Sequence, residues 1–226
     1  MAWISGNNAN NYLQGTDGDD WIDGYEGDDY LFGNSGRDTI FGGGGRDLIL
    51  GGYGNDEIYG GYGDDFLIGE SGSDYLTGDS GADILVGGYG NDYLYGDYGP
   101  DKLNGNGHGY VSWNSRLVNT YSAPDDIDYL YGGVDNHQDL YYLGDDRTYY
   151  RGSGFAMIYD FNVNYDKIVI GNDASFSRIS IGASGGNTEI RFDGNLIGLI
   201  AGQNLSNYNT NAGKDFLMDF YYQHPI

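Results

Sequence analysis

The feature that most constrains the fold is a nine-residue period that runs unbroken from Gly15 to Asn104. Each of its ten units reads G-x-x-G-x-D-x-U-x, where U is Ile or Leu. A preceding unit, Gly6 to Gln14, has Ala9 and Asn11 in place of the fourth-position glycine and the sixth-position aspartate. Self-similarity at a short fixed period is typical of solenoids, so we expect one, with this degenerate unit as its N-terminal cap. The ten units begin at Gly15, Gly24, Gly33, Gly42, Gly51, Gly60, Gly69, Gly78, Gly87 and Gly96.

Two positions of the unit indicate metal chemistry. Glycine permits positive φ angles and lets backbone carbonyls converge without a Cβ in the way. Ca²⁺ takes six to eight oxygen ligands, and a carboxylate balances its charge. The pattern therefore predicts carbonyl cages completed by an aspartate. The fourth-position glycines are Gly18, Gly27, Gly36, Gly45, Gly54, Gly63, Gly72, Gly81, Gly90 and Gly99. The sixth-position aspartates are Asp20, Asp29, Asp38, Asp47, Asp56, Asp65, Asp74, Asp83, Asp92 and Asp101.

The units resemble the RTX nonapeptide motif G-G-x-G-x-D-x-U-x, most closely at Gly51 to Tyr59, Gly60 to Ile68 and Gly87 to Tyr95. This resemblance implies an all-β fold, a right-handed parallel β-roll (a β-helix solenoid) with two units per turn. Each unit would then stack on the next but one. It also implies Ca²⁺ ions between stacked loops, each shared by two sixth-position aspartates and by carbonyls of positions 1 to 4. Ten loops in two stacks would hold about eight such ions, with further edge sites where a cap supplies ligands.

The composition favours cations as partners. The formal net charge of −24 argues against nucleic acid and against anionic membrane surfaces. Cysteine is absent, which excludes a disulfide framework and thiolate metal sites. Residues 1–6 lack the basic and apolar stretch of a secretory signal, and no apolar run is long enough to span a membrane. We therefore expect no cleavable leader and no membrane insertion.

Stacking of alternate units would sort the strands into an odd sheet and an even sheet, named after the units counted from Gly15. Side chains at positions 7 and 9 would point outward. The odd sheet would then expose a mixed surface with an aromatic stripe that includes Tyr59, Tyr75 and Tyr93. The even sheet would expose an apolar face formed by Tyr30, Phe32, Leu48, Leu50, Phe66, Ile68, Ile84 and Val86. A bare patch of this size is unusual, so we expect residues 105–226 to cover it; a homodimer through this face is the alternative.

The period fails after Asn104 and a broken repeat follows at residues 126–143. Its segment 132–139 is two residues longer than the regular G-G-x-G-x-D pattern, so an ion there would be bound less regularly. We expect three regions: a degenerate cap at 1–14, the β-roll at 15–104 and a β-rich C-terminal capping region at 105–226. The weaker metal candidates in the broken repeat are Asp126, Asp128, Asp135 and Asp139.

Alternating apolar residues from Gly154 onward predict antiparallel strands, with a hairpin turn at Asp193-Gly194. Residues 158–171 resemble the region that caps the array in RTX proteins. Residues 215–222 have the acidic and apolar mix of the C-terminal type I secretion signal in that family. The predicted strands cover residues 155–161, 167–170, 176–181, 189–192 and 196–200.

No motif of a catalytic centre is present: the sequence lacks H-E-x-x-H, G-x-S-x-G and the phosphate-binding G-K-[ST]. The histidines His108, His137 and His224 lie in irregular or terminal segments. His137, between Asp135 and Asp139, could bind a metal, but a solvated loop histidine is the simpler interpretation. The sequence therefore predicts that the chain is not an enzyme.

The function that we expect is that of an extracellular module that folds on binding Ca²⁺, with affinities of about 10⁻⁴ to 10⁻³ M. The RTX resemblance implies export by type I secretion and a structural or interaction role outside the cell. The alternative is an accessory carbohydrate- or surface-binding module that supports a partner enzyme. The aromatic stripe of the odd sheet motivates this alternative, although tyrosines are also ordinary strand formers.

Overall fold

The structure is a computed structural model that describes residues 1–106, 109–113, 116–120, 127–135, 137–143, 155–162, 164–170, 179–192, 195–202 and 217–219. All regular structure within these ranges is β-strand. They contain no helix that is long and apolar enough to cross a membrane. The strands form two long sheets and one separate hairpin, β13 (Gly109–Trp113) with β14 (Arg116–Thr120).

The odd sheet contains eleven strands, of which the first nine in spatial order are parallel neighbours. The last two strands in spatial order pair antiparallel and close this sheet. The strands in spatial order are β1 (Trp3–Ser5), β3 (Trp21–Glu26), β5 (Thr39–Gly44), β7 (Glu57–Tyr62), β9 (Tyr75–Ser80), β11 (Tyr93–Tyr95), β15 (Ile127–Tyr131), β17 (Phe155–Tyr159), β21 (Asn195–Ile200), β20 (Asn187–Phe192) and β19 (Ile179–Ser184).

The even sheet contains nine strands, and every neighbouring pair is parallel. The strands in spatial order are β2 (Tyr12–Gln14), β4 (Tyr30–Ser35), β6 (Leu48–Tyr53), β8 (Phe66–Ser71), β10 (Ile84–Tyr89), β12 (Lys102–Asn106), β16 (Leu140–Tyr142), β18 (Lys167–Ile170) and β22 (Leu217–Asp219).

The chain passes from one sheet to the other at every unit, so that a unit pairs with the next but one. Ile22 lies beside Ile40, and Ile40 lies beside Ile58. In the even sheet Leu31 pairs in the same way with Ile49. This register confirms the predicted stacking of two units per turn in an all-β parallel solenoid.

The strands are longer than the sequence predicts. The motif suggests a strand at positions 7 to 9, but β5 continues to Gly44, and its Gly43 pairs with Gly61. Positions 1 to 3 therefore also join the sheet, and the turn is limited to positions 4 to 6. The backbone of Gly43 has φ of +109°, a value that glycine adopts without a steric penalty.

The core is a single row of aliphatic side chains between the two sheets. The eighth-position residue of every unit, from Ile22 to Leu103, is 0% exposed. Beyond the array the row continues through Leu130, Ile158 and Ile168. Each turn therefore contributes only two large apolar side chains to the interior, and burial of each one stabilises the fold by about 1.5–3 kcal/mol.

The outer face of the even sheet is covered within a single chain. Leu48, Phe66, Ile68 and Val86 are at most 2% exposed and form a second apolar cluster. This burial confirms that the apolar face is not left bare. Apart from the hairpin β13–β14 and the antiparallel strands β19 and β20, the described strands after Asn106 extend the solenoid. That residues 105–226 cover the apolar face stays a prediction.

The second half is β-rich as predicted, but the antiparallel arrangement is wrong for two of the five predicted strands. β17 and β18, at two of the predicted strands, pair in parallel with β15 and β16 and continue the solenoid. The other three predicted strands, at β19, β20 and β21, do form antiparallel pairs, although β21 also pairs in parallel with β17. The predicted turn at Asp193-Gly194 lies outside the described residues. Alternation of apolar residues indicates a strand but carries no information on its direction.

Apart from Gly18, the fourth-position glycines are required by both conformation and space. Gly54 has φ of +145°, and a Cβ on it would lie 1.6 Å from the carbonyl oxygen of Gly36 in the preceding turn. Gly182 in β19 is a contrasting case, because a Cβ there would meet no atom within 4 Å.

We expect Gly54→Ala to lower the free energy of unfolding in saturating calcium by more than about 2 kcal/mol, since positive φ and the clash both oppose the methyl group. Gly182→Ala is the matched control and should change it by less than about 0.5 kcal/mol. Urea denaturation followed by circular dichroism measures both. Equal effects of the two variants would contradict this explanation of why glycine recurs at the fourth position of each unit.

Candidate metal centre

The sixth-position aspartates are joined into two columns by hydrogen bonds that run along the solenoid. The backbone N–H of Asp38 donates to Oδ1 of Asp56, and that of Asp56 donates to Oδ1 of Asp74, each at 2.8 Å. Eight such bonds of 2.7 to 2.9 Å link the ten aspartates of the array. All ten side chains are at most 3% exposed. The structure thus brings together every aspartate that the motif singles out.

The second carboxylate oxygen, Oδ2, has no hydrogen-bond donor in most of these aspartates. In eight of these aspartates Oδ2 is buried and accepts no hydrogen bond within the protein: Asp29, Asp38, Asp47, Asp56, Asp65, Asp74, Asp83 and Asp101. A buried carboxylate oxygen without a donor is costly, because burial removes its water and nothing replaces it. The repetition of this buried oxygen without a donor in eight loops indicates a positively charged partner.

The first-position glycines make room for this oxygen. A Cβ built on Gly33 would lie 2.4 Å from Oδ2 of Asp38 and 2.4 Å from the carbonyl oxygen of Gly51, one turn further on. The same pair of oxygens surrounds Gly24, where the distances are 2.3 and 2.6 Å. These glycines do not have positive φ. The motif keeps glycine here because a carboxylate and a carbonyl occupy the place of a side chain.

This donor set suits a hard cation. Within the described residues no three Asp, Glu or His side chains converge into a metal cluster, so carbonyl oxygens must supply most ligands. Ca²⁺ accepts carbonyl and carboxylate oxygens in flexible geometry and in numbers that loops can supply. The residues therefore fit Ca²⁺, and Oδ2 of an interior aspartate would be the charged ligand of its loop.

Burial raises the pKa of the aspartates in the interior of the columns. Burial raises the pKa of Asp56 to about 7, although the Asp38 N–H lowers it, and the charge of Asp38 raises it further. In the same way burial raises the pKa to about 6 for Asp38, to about 7 for Asp47 and Asp101, and to about 8 for Asp65, Asp74, Asp83 and Asp139. Without a cation, these columns bind protons near neutral pH.

Comparison with known proteins identifies the array. A family model described as the RTX calcium-binding nonapeptide repeat, in four copies, matches residues 5–40, 41–76 and 77–107. Residues 5–107 belong to the RTX calcium-binding repeats. The matched segment includes the degenerate unit before Gly15, in which Asn11 takes the place of the aspartate.

A solved structure similar to the chain is the extracellular lipase LipA from Serratia marcescens, with 18% sequence identity and a TM-score of 0.27. The similarity covers 95% of this chain and 39% of the lipase, so the chain spans about two fifths of that protein. A search of curated proteins gives no match.

The columns of the RTX repeats continue into the broken repeat. The N–H of Asp92 donates to Oδ1 of Asp128 at 3.1 Å, and the N–H of Asp101 donates to Oδ1 of Asp139 at 3.0 Å. Asp135 stands apart, because its carboxylate accepts bonds from Gly99 N–H and from His137. Asp128 and Asp139 thus occupy ladder positions, whereas Asp135 closes a turn; Asp126 lies outside the described residues.

Sequence reasoning missed Asp166, which extends the even column by a further step. Its Oδ1 accepts the N–H of Asp139 at 3.2 Å, and its side chain is 2% exposed. The signal was present, because Asp166-Lys167-Ile168 repeats the D-x-U pattern of the array. The same pattern marks Asp128 before Leu130. The D-x-U pattern thus persists at Asp128 and Asp166, whereas at Asp139 the inward position is taken by Tyr141.

The aromatic stripe of the odd sheet is a ladder of stacked rings. Tyr95 and Tyr131 stack with centroids 4.5 Å apart, and Tyr131 stacks on Tyr159 at 4.6 Å. Phe41 and Tyr59 stack in the same way at 4.9 Å. Where the rings stack face to face, the faces that a sugar ring would contact are covered; the contacts of Tyr75 with Tyr59 and Tyr95 are tilted. The ladder stabilises the sheet and gives no support to the carbohydrate-binding alternative.

For the metal-free chain we expect β-structure to increase as the pH falls from about 8 to about 5.5. The folded-state pKa values of the interior column aspartates lie above the ordinary aspartate value of about 3.9. As the pH falls, the folded state therefore binds protons at a higher pH than the unfolded state does. Stability is therefore lost as the pH rises through this window. Far-UV circular dichroism of chelator-treated protein measures the change, and a loss of β-structure on acidification would contradict it.

In the presence of calcium the pH dependence should reverse. Protons and Ca²⁺ compete for the same carboxylates, so the calcium concentration at half-folding should rise as the pH falls through the same range. A calcium midpoint that is independent of pH would show that the column aspartates are not the ligands.

Proposed function

We propose that the chain is an extracellular structural or interaction module that folds only when its loops bind calcium. The proposed ligands are the sixth-position aspartates and the carbonyls of positions 1 to 4, holding about eight ions in two columns. The observation that carries the proposal is the repeated buried Oδ2 without a donor, found in eight aspartates of the RTX repeats.

The coupling of folding to calcium follows from how little else holds each unit. One nine-residue unit places a single aliphatic side chain in the inner row, as Ile58 does for its unit. Burial of one such side chain does not offset the conformational entropy lost by ordering nine residues. Carboxylates that repel one another along the column oppose closure further. A cation in each loop removes this repulsion and adds the missing stabilisation.

Calcium concentration then acts as the signal for folding. Ligand that binds only the folded state stabilises it in proportion to ln(1 + [L]/Kd) for each site, so many sites in one array give a steep response. Loops of this kind bind with affinities of about 10⁻⁴ to 10⁻³ M, which match extracellular rather than cytosolic calcium. The chain would stay unfolded during type I export and fold outside the cell.

Catalysis is not part of the proposal. The buried polar groups of the described residues belong mainly to the two aspartate columns, which offer no nucleophile with an adjacent base. His137 is exposed and hydrogen-bonded to Asp135. We propose that the module supports the folding, display or attachment of a partner or of a longer chain.

A calcium titration followed by far-UV circular dichroism tests the proposal. We expect a cooperative gain of β-structure with calcium and its complete reversal by EGTA. Asp56→Asn should raise the calcium midpoint by at least about tenfold, because it removes the charged ligand from an interior loop. A spectrum that is unchanged by EGTA would overturn the proposed function.

Asp17→Asn is the control for this variant, since it removes the same charge from an exposed side chain. The calcium midpoint of this control should stay within about twofold of that of the unmodified chain. A shift as large as that of Asp56→Asn would mean that total charge, and not the column, determines the response.

A further inference from the structure

Three loops near the ends of the columns are closed by their own backbone. The N–H of Thr16 donates to Oδ2 of Asp20 at 2.7 Å, and the Thr16 hydroxyl donates to the same oxygen at 2.7 Å. The N–H of Asn162 donates to Oδ2 of Asp166 at 2.6 Å. In the degenerate first unit, the N–H of Asn7 donates to the side-chain oxygen of Asn11 at 2.7 Å.

These loops share one geometry, in which the residue at position 2 donates to the side chain four residues later. The first two loops of the chain, one in each column, have it, and so does the last described loop of the even column. In the interior, by contrast, Oδ2 of aspartates such as Asp38, Asp56 and Asp74 has no donor. At the ends of the columns, a backbone N–H therefore bonds to the side-chain oxygen of the loop. In interior loops the corresponding Oδ2 has no donor.

The conformation at position 2 accounts for the difference. Tyr25, Asn34 and Glu70 have φ near +75° in their interior loops, although none of them is glycine. Asn7, Thr16 and Asn162 do not have positive φ. The value of φ sets the orientation of the N–H relative to the rest of the loop. Negative φ directs the N–H of the position-2 residue to the side-chain oxygen four residues later, and positive φ directs it away.

The electrostatics of Asp20 agree with this closure. Burial raises the pKa of Asp20, but hydrogen bonds from the N–H and hydroxyl of Thr16 and from the N–H of Ala2, with the N-terminal charge, together outweigh it, so the pKa is lowered overall. Asp38, the next aspartate of the same column, has no such donors at Oδ2, and burial raises its pKa to about 6. Thr16 thus stabilises the ionised carboxylate as a cation would.

We propose that the loops of Asn11, Asp20 and Asp166 hold no calcium, and that the position-2 N–H replaces the ion so that the columns end on amides. This inference rests on the proposed function, because it divides the loops into ion-binding and ion-free classes. It removes Asp20 from the predicted ligands. It also explains how Asn11 functions without a carboxylate, since an amide oxygen accepts the N–H of Asn7 equally well.

Ion counting on the full chain tests the division. The bound calcium per chain is measured at saturation by equilibrium dialysis and atomic emission for the unmodified protein, Asp20→Asn, Asp56→Asn and Asn11→Asp. Asp20→Asn should retain the full number of ions, because its oxygen can still accept the Thr16 N–H. Asp56→Asn should lose at least one ion. Asn11→Asp should gain no calcium ion, because the N–H of Asn7 already donates a hydrogen bond to the side-chain oxygen at this position.

A loss of calcium from Asp20→Asn, or a gain of calcium in Asn11→Asp, would overturn the inference. If Asp56→Asn does not fold, the comparison of Asp20→Asn and Asn11→Asp with the unmodified chain still decides the matter. Failure of the proposed function gives a different result, because the unmodified chain would then bind no calcium.

Discussion

The bond from each sixth-position N–H to the carboxylate of the next turn is the interaction on which the rest of the structure depends. It links successive turns at the loops, as the aliphatic row links them between the sheets. It also buries the aspartates, and burial raises the pKa of Asp65 and Asp74 to about 8. Because Oδ1 is already used by an amide, only Oδ2 remains for a cation. The hydrogen bond that joins successive turns therefore also leaves a buried carboxylate oxygen that a cation can stabilise.

Much of the fold follows directly from the sequence, because a regular repeat gives every unit the same environment. The period, together with the two units per turn that the RTX resemblance implies, predicts the register of Ile22 on Ile40, the buried row at position 8 and the apolar face that contains Phe66. The positions of the candidate ligands follow as well, since a fixed offset in a fixed period places Asp38, Asp56 and Asp74 in one column. The RTX match of residues 5–107 rests on this same regularity.

The sequence failed where regularity ends. Beyond Asn104 the separation of bonded aspartates changes from 18 residues to 36, 38 and 27, so a search at fixed period loses Asp166. The D-x-U pattern survives because the inward aliphatic and the aspartate are required by the sheet and the ladder themselves. The direction of β17 and β18 depends on long-range pairing, which local alternation does not encode. The amide closure at Thr16 depends on the sign of φ, and that follows from tertiary context rather than from residue type.

Crystallography at a wavelength where calcium scatters anomalously tests the central claim most directly, because it locates the ions relative to the two carboxylate oxygens. We expect two columns of anomalous peaks, each peak adjacent to Oδ2 of an interior aspartate such as Asp38, Asp56 or Asp83. Crystals grown in calcium whose interior Oδ2 atoms contact only water or a proton donor, with no anomalous peak beside them, would contradict it.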